Sequence, residues 1–214
     1  MPVLIEAALE TAAEVGSIDA ASCDRVEACD FSVEGGRTPL EISLREMMAA
    51  ARHPVQVLIR PRGGAFIYGG AELSVMERQI DLARSLGASG VAIGALLPNR
   101  RIDRIATARL VGRARPMSVT FHRAIDMSPE PLEGLEALLE LGVDRVLTSG
   151  GAATAFEGAA VIRSMVERAG GDLVVMAGGG IRARNAKDVV DRSGVREVHA
   201  RDVRSMREAL RKAI

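Results

Sequence analysis

Short apolar runs and helical stretches alternate eight times along this chain. The runs begin near Val3, Arg25, Val55, Val91, Met117, Asp144, Leu173 and Glu197. Each is followed by a stretch with apolar residues at helical spacing. Strands that alternate with helices predict a parallel sheet, and eight units are the number that closes a (β/α)8 barrel. We therefore predict a TIM-like barrel of the α/β class. It is slightly short, because 214 residues are fewer than the usual ~250, so a doubly wound open sheet is the alternative.

Glycine and proline mark the ends of several predicted helices. Gly87 and Gly142 follow helical stretches, where a left-handed cap is expected. Pro129 and Pro131 stand at the start of another helix, where their missing N–H groups matter least. No linker or low-complexity stretch divides the chain, so we expect a single barrel domain over residues 1–214.

The charge balance and composition disfavour several classes of partner. The 28 basic and 28 acidic side chains cancel, which leaves no global field for nucleic acid or an anionic membrane. Five aromatic residues are too few for a base-stacking platform. No signal peptide or membrane span is visible, and two cysteines without a secretion signal indicate a reducing compartment. We expect a cytoplasmic protein that binds neither nucleic acid nor a membrane.

Alternation within the predicted strands separates apolar from ionisable residues. In a closed barrel, every second strand residue points into the lumen and the others face the helices. In strand 3, "VQVLIRPR", this rule turns four side chains inward: Gln56, Leu58, Arg60 and Arg62. In strands 1, 2, 5 and 8 it turns inward Glu6, Glu27, His122 and His199. Charged residues inside and apolar residues outside are typical of a functional chamber.

The inward groups are predicted to meet near the carboxyl ends of the strands, where active sites of such barrels lie. Carboxylates, guanidiniums and an imidazole in one cavity shift each other's proton affinity, as acid–base catalysis requires. For a catalytic site we assign Glu6 and Glu27 as base and acid, with Arg60 beside them. His122 would transfer a proton or polarise a carbonyl, and Arg62 would hold an anionic or sugar-like substrate. The alternative is a buried Glu–Arg network that only fills the lumen, although such pairs add little stability.

Two glycine-rich segments follow strands 6 and 7, "TSGG" at 148–151 and "AGGGI" at 177–181. Loops at these positions can present backbone amides to a phosphate or carboxylate, aided by the next helix N-terminus. We therefore assign as substrate-binding residues Thr148, Ser149, Gly178, Gly179 and, from strand 8, His199. Tight turns alone are the alternative explanation of these glycines.

The five aromatic residues all follow or end a predicted strand. They are Phe31, Phe66, Tyr68, Phe121 and Phe156. Placed on one rim, they could form the walls of a small-molecule pocket or, equally, a hydrophobic lid on the barrel.

The two cysteines cannot act together. Cys23 precedes strand 2 and Cys29 ends it, so roughly 20 Å separates them, too far for a shared ion or a disulfide bond. Cys29 points inward beside Glu27 and could supply one copper or zinc ligand, with His122 or a methionine as partner. The alternative is a small core residue.

Several segments make the chain resemble the CutC family of copper homeostasis proteins. They are "DRVEACDFSVEGGRTP" (24–39), "IRPRGGAFIY" (59–68), "TFHRAID" (120–126), "LTSGG" (147–151), "MAGGGI" (176–181) and "HA" (199–200). They occur in family order across most of the 214 residues. The resemblance implies a TIM-like barrel in the cytoplasm, copper as a ligand, and self-association into a homo-oligomer.

Two departures from the family pattern bear on copper. Family members commonly carry a cysteine at the end of strand 1, a proposed copper ligand together with the cysteine of "RVEAC". Here that position is Ala8, so only Cys29 remains. The segment between "HA" and the last helix is also shorter than in the family, which implies a reduced cover over the barrel.

Three functions follow as hypotheses. The first is a cytoplasmic copper-homeostasis protein that binds a copper ion through Cys29 and a neighbour. The second is an enzyme of the lyase or isomerase type, in which the ionisable groups act on a small anionic or sugar-like compound. The third is a non-catalytic barrel whose charged lumen is structural.

Overall fold

The chain folds into a closed barrel of parallel strands surrounded by helices. The computed structural model describes residues 2–211, and within them the strands are β1 (Leu4–Leu9), β2 (Arg25–Ala28), β3 (Val55–Leu58), β4 (Gly90–Ile93), β5 (Ser118–Phe121), β6 (Arg145–Thr148), β7 (Val174–Gly178) and β8 (Glu197–Ala200). The helices are α1 (Ala12–Ser17), α2 (Glu41–Ala50), α3 (Gly70–Ser85), α4 (Arg104–Ala114), α5 (Pro131–Glu140), α6 (Ala159–Ala169), α7 (Ala183–Ser193) and α8 (Met206–Arg211). A 3₁₀ helix, Arg123–Met127, follows β5.

Closure of the sheet confirms the barrel and excludes the open sheet. Each strand pairs in parallel with its chain neighbours, and β1 also pairs with β8, with Glu6 opposite His199. The last predicted helical stretch, 203–214, corresponds to α8, and its residues 212–214 lie outside the described part. None of the helices in residues 2–211 has the length and apolar character needed to cross a membrane.

The core lies mainly between the strands and the helices. Outward strand residues such as Ile5, Val26 and Val57 are fully buried in this shell, and each such side chain contributes about 1.5–3 kcal/mol by leaving water. A small second cluster lies on the inner face, formed by Ala8, Cys29, Leu58 and Ala92. The predicted alternation of directions is therefore confirmed, and it frees the inner face for polar groups.

Most of the expected helix ends are observed. Gly87 and Gly142 have φ values of 84° and 68°, as left-handed caps require. Pro131 is the first residue of α5, whereas Pro129 precedes the helix and its N-cap, Glu130. The two glycines lead into β4 and β6 at the amino end of the barrel, whereas Pro131 starts α5 on the side of the carboxyl end.

Candidate functional site

A cavity of about 910 Å³ opens at the carboxyl ends of the strands. Loops after six of the strands contribute to it, as expected for the functional end of such a barrel. Its ionisable lining residues are Glu27, Glu34, Arg60, Arg100, His122, Arg123, Asp126, Arg182, His199 and Arg201. The structure therefore brings four of the predicted ionisable residues to one cavity.

Glu6, His199 and Glu27 form a linked triad at the base of this cavity. His199 Nδ1 lies 2.8 Å from Glu6 Oε1, and His199 Nε2 lies 3.7 Å from Glu27 Oε2. An ionised carboxylate only accepts hydrogen bonds, so Glu6 fixes the Nδ1–H form of His199. The Nε2 atom is thereby the nitrogen that gains or loses a proton, and it faces Glu27. Glu6 itself does not line the cavity.

The triad shifts the proton affinities of all three groups. Burial alone would raise the pKa of Glu6, but the hydrogen bond with His199 and the charge of Arg25 lower it to about 2. Burial disfavours a charged His199, yet the charge of Glu27 and the bond to Glu6 raise the pKa of the imidazole. Burial raises the pKa of Glu27, against the attraction of His199 and aided by the repulsion of Glu6.

Beneath the triad lies an ionic network that the sequence analysis missed. Arg25 pairs with Glu6 through Nε and with Glu197 through an Nη2 atom 2.7 Å away. Arg145 Nε lies 2.6 Å from the same Glu197 carboxylate. Both arginines occupy inward positions at the first residue of a strand. Extending the alternation rule to the start of strands 2 and 6 would have found them.

The connected groups alternate in charge and share one proton. In order they are Arg145, Glu197, Arg25, Glu6, His199 and Glu27. The series is neutral when one proton is held by either His199 or Glu27, and negative without it. Because an unbalanced buried charge is costly, the pair retains that proton. Glu27 and His199 thus form a proton couple at the cavity wall, an ion-pair contact with 3.7 Å between Oε2 and Nε2 that holds one proton.

His122 is a neutral hydrogen-bond donor in the same cavity. Burial and the charge of Arg60 lower the pKa of His122 to about 3. Its Nδ1 accepts a hydrogen bond from the Ala124 amide at 3.2 Å, which places the proton on Nε2. Among residues 2–211 that Nε2 atom has no partner, although it is buried. A Cβ on Gly94 would lie 2.5 Å from Nδ1, so glycine there makes room for the ring.

The low pKa of His122 predicts a specific dependence of stability on pH. An unfolded histidine binds a proton near pH 6.5, whereas the native imidazole stays neutral until about pH 3. The unfolded state therefore binds more protons in this window, and stability is lost as pH falls from 6.5 toward 3. Relative to the wild type, His122→Gln should lose less unfolding free energy between about pH 7 and about pH 4.5, by up to ~1.4 kcal/mol per pH unit. Urea unfolding measures the difference.

The neutral state of His122 can be tested directly by recording its imidazole resonances by NMR over a range of pH. A ring that stays neutral, with its proton on Nε2, at every pH where the protein is folded agrees with the structure. A His122 that titrates near its ordinary value would contradict it.

The two arginines of "IRPRGG" do not face the glutamates, contrary to the expectation. Arg60 Nη1 donates to the carbonyls of Glu34 and Gly36, and Nη2 donates to that of Gly64. Arg60 still lines the cavity but has no carboxylate within ion-pair distance among the described residues. Arg60 lies two residues beyond the end of β3, and its guanidinium is held there by loop carbonyls instead of reaching the triad.

Arg62 lies outside the cavity, so its predicted contact with substrate is not supported. Its guanidinium pairs with Glu72 at 2.5 Å and donates to the carbonyls of Gly63, Ala65 and Ile67. It therefore holds the loop after β3 in shape. The alternation rule predicts an inward direction for Arg62. The chain turns at Pro61, however, so Arg62 lies in the loop and outside the barrel interior.

Thr148 and Ser149 also do not line the cavity; they bind Asp126, which does. Asp126 accepts from the Thr148 hydroxyl at 2.5 Å, the Ser149 amide at 3.0 Å and the Gly151 amide at 3.2 Å. Arg123 Nε donates to the same carboxylate at 2.8 Å. The 3₁₀ helix that carries Arg123 and Asp126 was not predicted, although "HRAID" holds both ionisable residues.

The two glycines assigned after strand 7 differ in role. Gly178 is buried in β7, where a Cβ would lie 2.5 Å from Leu147 Cδ1, so it serves packing and does not line the cavity. Gly179 lines the cavity with a φ of 103°. A Cβ there would lie 3.2 Å from the guanidinium carbon of Arg123, so glycine lets that cation lie against the loop.

Two of the five aromatic residues line the cavity, namely Phe31 and Phe66. Phe66 packs over both Arg60, at 4.7 Å, and His122, at 4.9 Å between ring centroids. Phe121, in contrast, is fully buried in the shell between strands and helices, so its predicted place on the rim was wrong. Tyr68 and Phe156 pack against the same shell. Only two of the five aromatic residues therefore contribute to the walls of the cavity.

Cys29 is the thiol that faces the triad. Its Sγ donates to Glu27 Oε2 at 3.0 Å. Burial and then the charge of Glu27 raise the pKa of the thiol well above its ordinary value, so it stays protonated. Cys23 packs in the outer shell. Neither cysteine is in a disulfide bond.

The carboxylate oxygens and imidazole nitrogen of the triad are harder ligands than the sulfur ligands that Cu(I) prefers. Ligand atoms of Glu6, Glu27 and His199 all lie within 4.8 Å of one another. Carboxylates suit Mg²⁺ or Mn²⁺ and imidazole suits zinc or iron, whereas Cu(I) prefers thiolates and thioethers. With Cys29 added, the site offers one sulfur, and that sulfur is protonated.

Comparison with known proteins decides the family. The model of the CutC family matches residues 3–203. The chain belongs to the CutC family. A human relative, named copper homeostasis protein cutC homolog, is 41% identical over 96% of this chain and 75% of its own length. A CutC family protein of Histophilus somni is 44% identical over 82% of this chain and 72% of its own.

A solved structure of a CutC family member has the same fold. That protein, from Streptococcus agalactiae and described as a copper homeostasis protein CutC, superposes with a TM-score of 0.88 at 31% identity. The match covers 94% of this chain and 99% of the other. The resemblance found in the sequence is thus confirmed in both sequence and structure.

Within this CutC barrel, Ala8 lies in the same inner cluster as Cys29. A cysteine at this position would put a second sulfur beside the first, which is the arrangement that the family resemblance implies for copper. Alanine supplies only a methyl group. The two-thiolate site is therefore absent from this part of the described barrel.

Proposed function

We propose that this CutC protein takes part in copper homeostasis, as the names of its human and mouse relatives say of them. We further propose that its molecular activity is acid–base catalysis on a small molecule held in the cavity. The observation that carries the proposal is Glu27, a carboxyl group of raised pKa that shares a proton with His199 and lines the same cavity as the neutral donor His122.

The reaction supported best is proton transfer at a carbon next to a carbonyl group. Glu27 takes the proton as the C–H bond breaks, and the electron pair moves onto the carbonyl oxygen. His122 Nε2–H donates to that oxygen, where negative charge develops, and the nearby positive charge of Arg60 stabilises it. Return of the proton to the same carbon only exchanges it with solvent, whereas its return to a neighbouring carbon completes an isomerase step. In a lyase step, the electron pair of the enolate instead expels a leaving group from the adjoining carbon, and the proton held by Glu27 passes to that group.

The remaining members of the network are positioning groups in this scheme. Glu6 holds the His199 tautomer, and Arg25 holds Glu6. A protonated His199 keeps Glu27 ionised and able to take the proton from carbon. Return of that proton to the substrate restores Glu27 for the next cycle. Each residue thus supports the next from the barrel interior to the cavity wall.

Hydrogen–deuterium exchange tests the proposal even while the substrate is unidentified. Small metabolites that raise the melting temperature of the protein are first selected, because a ligand selective for the native state must do so. They are then incubated with the enzyme in D₂O and followed by proton NMR. Enzyme-dependent loss of a C–H signal next to a carbonyl supports the proposal, and no such loss for any stabilising compound overturns it.

Direct copper binding is the second candidate function. It is favoured by one observation, the meeting of sulfur, oxygen and nitrogen donors at Cys29, Glu27 and His199. If this site binds the metal, Cu(I) titrated under reducing conditions should saturate near one ion per chain, and Cys29→Ala should abolish the binding. Cys23→Ala, in the outer shell, is the matched control and should bind as the wild type does. Binding no tighter than that of a competing chelator would exclude this candidate.

The compartment and the assembly state are also proposals. Free thiols at Cys23 and Cys29 support a reducing compartment, and the cytoplasm is the one we propose. Self-association stays a prediction from the family resemblance.

A further inference from the structure

Five arginines line the cavity, and three of them lack an acidic partner. Arg123 pairs with Asp126, and Arg201 lies 3.8 Å from Glu10. Within residues 2–211, no carboxylate lies within 4.0 Å of the other three: Arg60, Arg100 and Arg182. Arg60 and Arg100 follow the neighbouring strands β3 and β4, and Arg182 follows β7 on the other side of the barrel.

Arg60 is the most constrained of these unpaired arginines. It is only 4% exposed, and three of the five N–H groups of its guanidinium are taken by carbonyls. The Nε atom is buried without a partner. A buried cation that lacks a counter-charge is strongly unfavourable. The dipoles of the three carbonyls offset part of this free-energy cost, but no carboxylate on the described part of the protein balances the positive charge of Arg60.

The carboxylates at the cavity do not supply the missing charge. Asp126 is saturated by hydrogen bonds from Arg123 and the loop after β6. Glu27 belongs to the neutral network below the cavity. Glu34 is exposed, and only its backbone carbonyl contacts Arg60. The lining therefore carries five arginines against three carboxylates and has an excess of positive charge.

From this excess we infer that the ligand of the cavity carries an oxyanion, a phosphate or a carboxylate group, bound by the three unpaired arginines. Arginine suits this task because its planar guanidinium donates two parallel hydrogen bonds to such groups. The unpaired Nε2–H of His122 can donate to a second oxygen on the same ligand, a carbonyl or hydroxyl. The cavity, at about 910 Å³, has room for both.

The inference deepens the proposed function and rests on it for one point, that the cavity is where the chemistry occurs. The anion anchors the substrate, while Glu27 and His122 act on its carbonyl-bearing part. Binding energy from a remote charged group is a general means of holding a substrate in reactive geometry. The class of substrate is thus a small oxyanion that also carries a carbonyl or hydroxyl group.

Inorganic phosphate and malonate serve as probes for the two kinds of oxyanion. Each is titrated into the protein by calorimetry, at an ionic strength held constant with sodium chloride. We expect at least one probe to bind and to raise the melting temperature. Binding of phosphate alone identifies a phosphate site, and binding of malonate alone identifies a carboxylate site. If neither probe binds more tightly than chloride, the inference is wrong.

Variants of the two more exposed arginines locate the anion. The double variant Arg100→Gln/Arg182→Gln should weaken binding of the effective probe about tenfold or more, because charge-assisted hydrogen bonds are lost. Both residues are exposed, so the fold should be retained. Arg163→Gln on the outer side of α6, where Arg163 pairs with Glu167, is the matched control and should bind as the wild type does. Unchanged binding in the double variant would contradict the inference.

A third variant separates this inference from the proposed function. Glu27→Gln should still bind the anion, since Glu27 contacts none of the three arginines. Failure of the wild type to bind either probe, while it still shows Glu27-dependent proton exchange, would refute the anion site alone. Anion binding without proton exchange in the wild type would refute the catalytic proposal alone.

Discussion

Glu27→Gln is expected to reduce enzyme-dependent deuterium exchange about a hundredfold or more. The amide cannot take a proton at neutral pH, and loss of a positioned base typically costs about 10²–10⁴ in rate. The amide has nearly the same shape and still meets the Cys29 thiol and the His199 ring, so the barrel should stay folded. The measurement is the initial exchange rate of a stabilising carbonyl compound in D₂O, followed by NMR.

Glu34→Gln is the matched control for this prediction. It makes the same chemical change in a residue that lines the same cavity but does not contact His199 or Cys29. Exchange should remain within a few fold of the wild-type rate. Equal losses in both variants would show that the rate depends on cavity charge in general, and an unaffected Glu27→Gln would remove the carboxyl group from the mechanism.

Arg25→Met should destabilise the protein by about 3–5 kcal/mol, the usual effect of removing one partner of a buried ion pair. Arg25 is 12% exposed and lies between the carboxylates of Glu6 and Glu197. Without it, the two acids lose their shared counter-charge in a site that is largely shielded from water. The loss appears as a lower midpoint in urea unfolding, with an unchanged dependence on denaturant if the unfolded state is unaffected.

Two further variants decide whether charge is the cause. Arg45→Met removes a guanidinium from a surface pair with Glu41, where both side chains are more than half exposed, and should change stability little. Adding Glu6→Gln to Arg25→Met removes one of the stranded charges and should recover part of the loss. An Arg25→Met protein as stable as the Arg45→Met protein would show that the network contributes nothing to the fold.

Much of the fold could be predicted because one rule acts locally and repeatedly. In β3 and the two residues after it, Val57 and Ile59 face the helices while Leu58 and Arg60 face the interior, as alternation along the chain predicts. Because neighbouring strands pair in parallel, the same alternation of side-chain directions applies to each strand of the barrel. Closure of the barrel could be predicted from the number of strand–helix units alone. The eight units can be counted along the sequence without knowledge of contacts between distant residues.

The site could be predicted only in part, because the alternation rule gives the direction of a side chain but not the group that this side chain contacts. Glu27 and His199 were turned inward correctly, and the pairing of β1 with β8 then brought Glu6 to His199. Arg60 was also turned inward, yet carbonyls of two loops compete for its guanidinium. Asp126 lies beyond its strand in a 3₁₀ helix, where no alternation applies.

The contact between Glu6 and His199 joins residues 193 positions apart, from the first strand to the last. During synthesis, the ribosome makes β1 to β7 before this imidazole exists. A nascent or truncated polypeptide that lacks β8 therefore has no working proton couple, however well its earlier strands have folded. The proposed activity therefore depends on closure of the barrel between β1 and β8.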